Sequence, residues 1–252
     1  MRILLTNDDG ILAEGLIALY EELKDDFDLS VVAPETEMSA VGHSITLSNP
    51  IRVRRMKRNG CFFGYGISGT PADCVKIAIQ EILHQKPDMV ISGINMGSNV
   101  GINLLYSGTV SAATEGAFLG IPSFAVSLNT KNDPDFSFPA EFSRRMITFI
   151  SRNGLQEGTA LNVNIPALPK SQIKGISFTR QDLVRQKDTF EKRNDPRGNS
   201  YYWLASETPV EESIPNTDLK VLQENRITIT PITFDLTDLK EIERLASLGV
   251  DL

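Results

Sequence analysis

The adjacent carboxylates of Asp8 and Asp9, in the run Thr6-Asn7-Asp8-Asp9-Gly10, have the clearest capacity for chemistry in this chain. They follow an apolar segment, Met1-Arg2-Ile3-Leu4-Leu5, that reads as a strand. A turn after the last strand residue can bring both side chains toward one point. Two carboxylates brought together repel unless they share a cation, so convergence favours a hard ion such as Mg²⁺ or Mn²⁺ held by oxygen ligands. The same residues also make a good turn, and an Asp there can cap a following helix. Their position favours chemistry, because strand ends in an open α/β sheet face the ligand crevice.

Other segments offer partners. Ser92-Gly93-Ile94-Asn95-Met96-Gly97-Ser98-Asn99-Val100-Gly101 follows a second apolar run and reads as a strand-exit loop whose small residues let backbone N–H groups approach an anion. If its strand lies beside the first, Asn95 joins Asp8 and Asp9 in an oxygen-rich site. Ser107-Gly108-Thr109 enters a segment rich in small residues and can present donors to a phosphate at a helix N-terminus, or simply cap that helix. His43 sits in a polar loop with Ser39, Gly42 and Ser44, where proton transfer or phosphate contact competes with a plain loop hydrogen bond. His84 closes a predicted helix. Arg52, Arg54, Arg55, Lys57 and Arg58 read as a solvated face or a weak steering surface for anions. No Gly-x-x-x-x-Gly-Lys-Ser/Thr run is present, which disfavours a P-loop nucleotidase, and the 92–101 stretch is not the Gly-x-Gly-x-x-Gly dinucleotide loop.

The elements that must position these groups follow βα grammar. Arg2–Thr6 and 28–33 read as strands around a helix with Leu12, Leu16, Leu19 and Leu23 on one face. Residues 51–55 and Cys61–Ile67 form a hairpin about Asn59-Gly60. Thr70-Pro71 opens a helix to about Leu83, and 88–92 is a buried strand. A helix over 111–119, a strand over 122–127 and an amphipathic helix marked by Phe142, Met146, Phe149 and Ile150 follow. The pattern predicts a doubly wound, mostly parallel sheet. After about residue 160 strands are expected at 161–165, 173–179, 201–205 and 226–230, a poorly patterned stretch over 206–225, and a final helix over 239–248. We read one domain over 1–252, with a core to about 180 and extended hairpins or arms over 181–252.

Bulk properties fit an enzyme core. The 252 residues suffice for one large core, and 41% hydrophobic with 23% charged residues is ordinary for a globular chain. A net charge of −7 argues against a general nucleic-acid surface, so an anionic substrate needs a metal or backbone donors. Cys61 and Cys74 lack zinc-type spacing and read as buried apolar residues. No run approaches a membrane span, and no signal-type segment is visible; the expectation is a cytoplasmic protein.

Taken together, Asn7-Asp8-Asp9-Gly10, Ser39-Ala40-Val41-Gly42-His43-Ser44-Ile45-Thr46, Gly69-Thr70-Pro71-Ala72-Asp73-Cys74, Ser92-Gly93-Ile94-Asn95 and Tyr106-Ser107-Gly108-Thr109-Val110 resemble, in order and spacing, the SurE (survival protein E) family. Residues 161–166 and 228–231 extend the likeness. The resemblance implies a Rossmann-like core and a metal-dependent phosphatase acting on nucleoside 5′-monophosphates, with 3′-nucleotides or short polyphosphate for some members. It implies one divalent cation per subunit on Asp8, Asp9, Ser39 and Asn95, and homodimers or homotetramers built through C-terminal extensions. Catalysis then falls to Asp8, Asp9 and Asn95. Phosphate contacts fall to Ser107, Gly108 and Thr109, with Asn99 and His43 as further candidates. Glu224-Asn225-Arg226-Ile227 departs from the Gly-Tyr often found before the late strand, which bears on assembly or gating and not on the metal site. Two rivals are an aspartyl-phosphate enzyme, disfavoured because its usual Asp-x-Asp arrangement is absent, and a nucleotide-binding sensor without turnover.

Overall fold

Side chains alternate across the pleat of each central strand, so the two faces of the sheet collect different apolar sets and bury both. In the computed structural model, which describes residues 1–184, 186–209 and 213–248, the chain runs β1 (Arg2–Thr6), α1 (Glu14–Leu23), β2 (Asp28–Pro34), β3 (Val53–Arg58), β4 (Cys61–Ile67), α2 (Pro71–Ile77), β5 (Met89–Met96), α3 (Gly108–Phe118), β6 (Ser123–Asn129), α4 (Ser137–Asn153) and β7 (Thr159–Pro166). It continues through β8 (Ile176–Phe178), the hairpin β9 (Gln186–Asn194) and β10 (Ser200–Pro209), then α5 (Asp218–Gln223), β11 (Ile227–Thr233) and α6 (Leu239–Leu248). Parts of the expected arm region, at 185, 210–212 and 249–252, lie outside the described residues.

Among the described residues nine strands form one sheet in the order β3-β4-β2-β1-β5-β6-β7-β11-β8. The six strands from β4 to β7 in that order run parallel; β3 and β11 are antiparallel to their neighbours β4 and β7. Ile3, Leu5, Ile91, Phe124 and Val163 meet α1 and α4 on one face, while Leu4 and Val90 meet α2 and α3 on the other. No helix among the described residues is long and apolar enough to cross a membrane.

The topology reverses at β1. From β1 the chain moves outward to β2 and the edge strand β3, turns back into β4, then crosses to place β5 on the other side of β1, with Thr6 opposite Ser92. That adjacency creates the crevice at the carboxyl ends of the strands. Local signals account for the flanking pieces. Asn59 and Gly60 both take positive φ in the β3–β4 turn. Thr70 accepts from the Asp73 N–H, and Asp73 returns a bond to the Thr70 N–H, forming a capping box.

Several expectations change. Leu12 precedes α1 and is half exposed, because the helix starts only at Glu14. β5 continues to Met96, so the first half of the stretch read as a strand exit is strand. Its pairing with β6 carries one extra residue between Ser92 and Asn95, a bulge that re-aims the strand end. α3 starts at Gly108, ahead of the expected 111, because Ser107 caps it. Only three residues of 173–179 pair as β8. The stretch over 206–225 contains α5, with Val221 and Leu222 buried. Cys61 is exposed; Cys74 is buried.

Gly15 shows how closely α1 approaches the bulge, since a methyl group there would fall on the Ile94 carbonyl oxygen, a backbone atom beside Asn95. Gly15→Ala is expected to lower stability by about 1–3 kcal/mol through this overpacking. Denaturant unfolding checks it, and an unchanged midpoint would refute the close approach.

Candidate functional site

The site begins with the turn that leaves β1. Asn7, fully buried, donates from its side-chain amide to the Gly10 carbonyl (2.9 Å) and closes the turn. Asp8 and Asp9 therefore emerge together at the end of a rigid strand. Asp8 is buried against the first turn of α3, where the Thr109 hydroxyl donates to its Oδ1 and the Thr109 main chain adds a second hydrogen bond. Gly108 permits this approach, because a Cβ there would lie 2.7 Å from the Asp8 Cβ. The Met38 N–H donates to the Asp8 carbonyl (2.7 Å) and brings the 35–50 loop alongside.

Asp8, Asp9, Ser39 and Asn95 all line one cavity of about 780 Å³. Asn95 stands at the end of β5, its amide nitrogen donating to the Gly97 carbonyl (2.8 Å), which leaves its side-chain oxygen as the group to offer the site. The Ser39 hydroxyl donates to Glu37 (2.5 Å), a cavity residue not anticipated from sequence. Asp188 adds a fourth carboxylate, and no lysine, arginine or histidine is among the described lining residues. Burial, then the charges of Asp8 and Glu37, push the Asp9 carboxyl up from the ordinary 3.8 to about 7, against a hydrogen bond from the Met96 main chain. Burial also raises Asp8, despite the bonds from Thr109. Two carboxylates, a hydroxyl and an amide oxygen make an all-oxygen donor set, and such convergence of negative charge fits a hard divalent cation.

The remaining expected site residues are distributed differently. Ser107 lines the cavity while its oxygen accepts from the Val110 N–H (3.1 Å), so it caps α3. Thr109 and Gly108 do not line the cavity; both serve Asp8. Asn99 lines it and is locked from three sides. Its N–H donates to Asn164 Oδ1 (2.7 Å), its carbonyl accepts from Asn162 Nδ2 (2.7 Å), and its side chain donates to the Ser127 hydroxyl (2.9 Å). Asn162 and Asn164 alternate with apolar residues along β7, a period-two polar signal on a core strand from which their shared role was readable.

His43, read either as a phosphate contact or as a plain loop hydrogen bond, lies outside the described cavity lining. Its Nε2 meets the buried Glu115 (2.7 Å), which also pairs with Lys76 (3.1 Å), and its Nδ1 meets the Thr114 hydroxyl (3.2 Å). It ties the Ser39 loop to α3. The partner lies 72 residues away, so no local signal announced it.

Fold and site define an α/β protein with an acidic, oxygen-lined pocket at the switch point of its sheet. The chain belongs to the SurE family: the family model described as "Survival protein SurE" matches residues 3–188. It is 54% identical over 249 residues to the "5'-nucleotidase SurE" of Syntrophus aciditrophicus (98% of this chain, 94% of that one). Identity to the protein of the same name from Syntrophobacter fumaroxidans is 51% over 245 residues (97% and 98%). The crystal structure of the SurE protein from Aquifex aeolicus aligns with a TM-score of 0.85 at 39% identity, covering 98% of this chain and 99% of that one.

The raised Asp9 carboxyl sets a pH dependence. With a folded value near 7 above the ordinary 3.8, the stabilisation from its protonated form is complete below about pH 4 and is lost as pH rises through about 7. Chelated protein should therefore melt several degrees lower at pH 8 than at pH 5, and Asp9→Asn should flatten that slope. Thermal melts across pH check this; parallel slopes for wild type and variant would refute it.

Proposed function

We propose that this chain is a 5′-nucleotidase that releases phosphate from nucleoside 5′-monophosphates with one divalent cation, Mg²⁺ or Mn²⁺, per subunit. The observation that carries the reading is the convergence of Asp8, Asp9 and Glu37 in one cavity with no cationic side chain among its described lining residues. Full-length relatives named 5′-nucleotidase support the substrate class. Asp8, Asp9, Ser39 and Asn95 are the residues that would hold the ion. When bound, it neutralises charge on the transferring phosphoryl group and makes water a stronger nucleophile.

The chain's own groups complete the chemistry. One of the two carboxylates, Asp8 or Asp9, is the proton acceptor for the attacking water. Asp8 is immobilised by Thr109, which keeps the carboxylate pair in register. Ser107 accepts from Val110 through its oxygen, so its proton is directed to a phosphoryl oxygen. Gly108, outside the cavity lining, contributes by letting the first turn of α3 approach Asp8 closely. Asn99 shapes the wall, and His43 holds the loop bearing Ser39.

The reading extends to 3′-nucleotides and short polyphosphate as further substrates, to a cytoplasmic location, and to homodimers or homotetramers. Support for assembly comes from Phe190, Tyr202 and Trp203, all exposed on the β9–β10 hairpin. Light scattering of the intact chain should give a mass of two or four subunits.

Phosphate release from 5′- and 3′-nucleoside monophosphates and polyphosphate, in EDTA and then in Mg²⁺ or Mn²⁺, tests the activity. Release only with metal is expected. Nucleotide binding without release would favour a sensor. Asp8→Asn should lower kcat about a hundredfold or more at saturating metal while preserving the fold. Retained turnover would remove Asp8 from the site.

A further inference from the structure

Among the described residues the β9–β10 hairpin pairs with no strand of the main sheet, yet its Asp188 and Leu204 line the cavity that holds Asp8 and Asp9. A two-stranded ribbon has little stability of its own, so its placement needs another cause. That cause lies at its root. Asp218, fully buried in the first turn of α5, accepts from the N–H groups of Gly101 (2.9 Å), Asp182 (2.8 Å) and Leu219 (2.8 Å). Asp182, also buried, accepts from the Thr217 hydroxyl (2.7 Å) and the Val184 N–H (2.8 Å). The Gln181 side chain returns to the Gly101 carbonyl (2.9 Å). One carboxylate thus joins the segment leading into the hairpin to the 101–105 turn, whose Ile102 and Asn103 line the same cavity.

The ribbon's pleat fixes what it presents. Leu204 pairs with Phe190, and Asp188 lies two residues before Phe190, so all three share one face. A bulge between Leu204 and Ser206 bends the strand beside the pocket.

We propose that Asp218 is a positioning residue for substrate recognition: through Gly101 and Asp182 it holds the hairpin and the 101–105 turn in one arrangement, so that Leu204, Asp188, Ile102 and Tyr106 form the wall that meets the nucleoside. This rests on the nucleotidase reading. Leu204, Ile102 and the Tyr106 ring offer apolar and aromatic surface to a flat base, and the Asp188 carboxylate accepts from sugar hydroxyls. A phosphate ester without a nucleoside makes no use of this wall, so the wall's contribution separates from the phosphate chemistry.

The test compares a nucleoside 5′-monophosphate with methyl phosphate, whose leaving group is also a primary alcohol, on wild type, Asp218→Asn and Leu204→Ala, with KM and kcat measured separately. Both variants are expected to raise KM for the nucleotide about tenfold more than for methyl phosphate. Trp203, the single tryptophan, lies in the hairpin and supplies a readout independent of turnover. Its fluorescence anisotropy should fall in Asp218→Asn while circular dichroism shows a folded core. Equal losses on both substrates, or no loss on either, would overturn the proposal. If Asp218→Asn does not fold, the half-exposed Leu204 decides the matter alone. Wild type inactive on both substrates would overturn the nucleotidase reading itself, whereas an active wild type with non-discriminating variants overturns only the wall.

Discussion

Like charges forced together in a crevice of lowered dielectric are the constraint on which the rest of this structure depends. Asp8 and Asp9 leave the same strand end, Glu37 faces them, and every neighbouring device holds them there against repulsion. Thr109 and the first turn of α3 fix Asp8, the Met38 N–H fastens the 35–50 loop to its carbonyl, and the His43–Glu115–Lys76 cluster pins that loop to α2 and α3. A pocket arranged in this way has an affinity for positive charge set by its geometry before any substrate arrives.

The helix that receives Asp8 is matched to this role by its composition. Residues Gly108 to Ala117 of α3 are all buried, and Ala112, Ala113, Gly116 and Ala117 let the helix lie close to the sheet. At Gly116 a side chain would collide with Ser123 and Val90. Close packing keeps the helix terminus, with its positive end of the peptide dipoles, at a fixed distance from the carboxylate. Larger residues along α3 would move that terminus away from Asp8.

Much of this was legible in the sequence where the signal is local. The apolar periods of β1 and β2, Asn59-Gly60 and Thr70-Pro71 each name their structure through backbone preferences of a few residues. Gly93 misled because a strand-interior glycine looks like a loop; here it lies in a bulge against Val126, where a side chain has no room. Ser107 and Thr109 were recognised as oxygen donors, but only the fold reveals that Thr109 turns to a carboxylate. Asp182 and Asp218 could not be found from sequence, because a carboxylate in a polar stretch reads as solvated, and their burial arises from segments 101, 182 and 218 meeting in space. His43 was singled out with a plain hydrogen bond among its readings, but its distant partner Glu115 was not.

The order of strands at the far edge of the sheet constrains how the chain can be made. β8 follows β7 closely in sequence but does not touch it; β11 lies between them, antiparallel to β7 and parallel to β8. During synthesis the edge of β7, with Val163 and Ile165 in its core face, stays unpaired until residue 233 has left the ribosome. An open apolar edge invites pairing with other chains, and a contact of such sequence separation forms slowly. The nascent protein therefore passes through an interval of greatest vulnerability to aggregation after Asp8, Asp9, Ser39 and Asn95 have already emerged, and chaperone demand should concentrate on that interval.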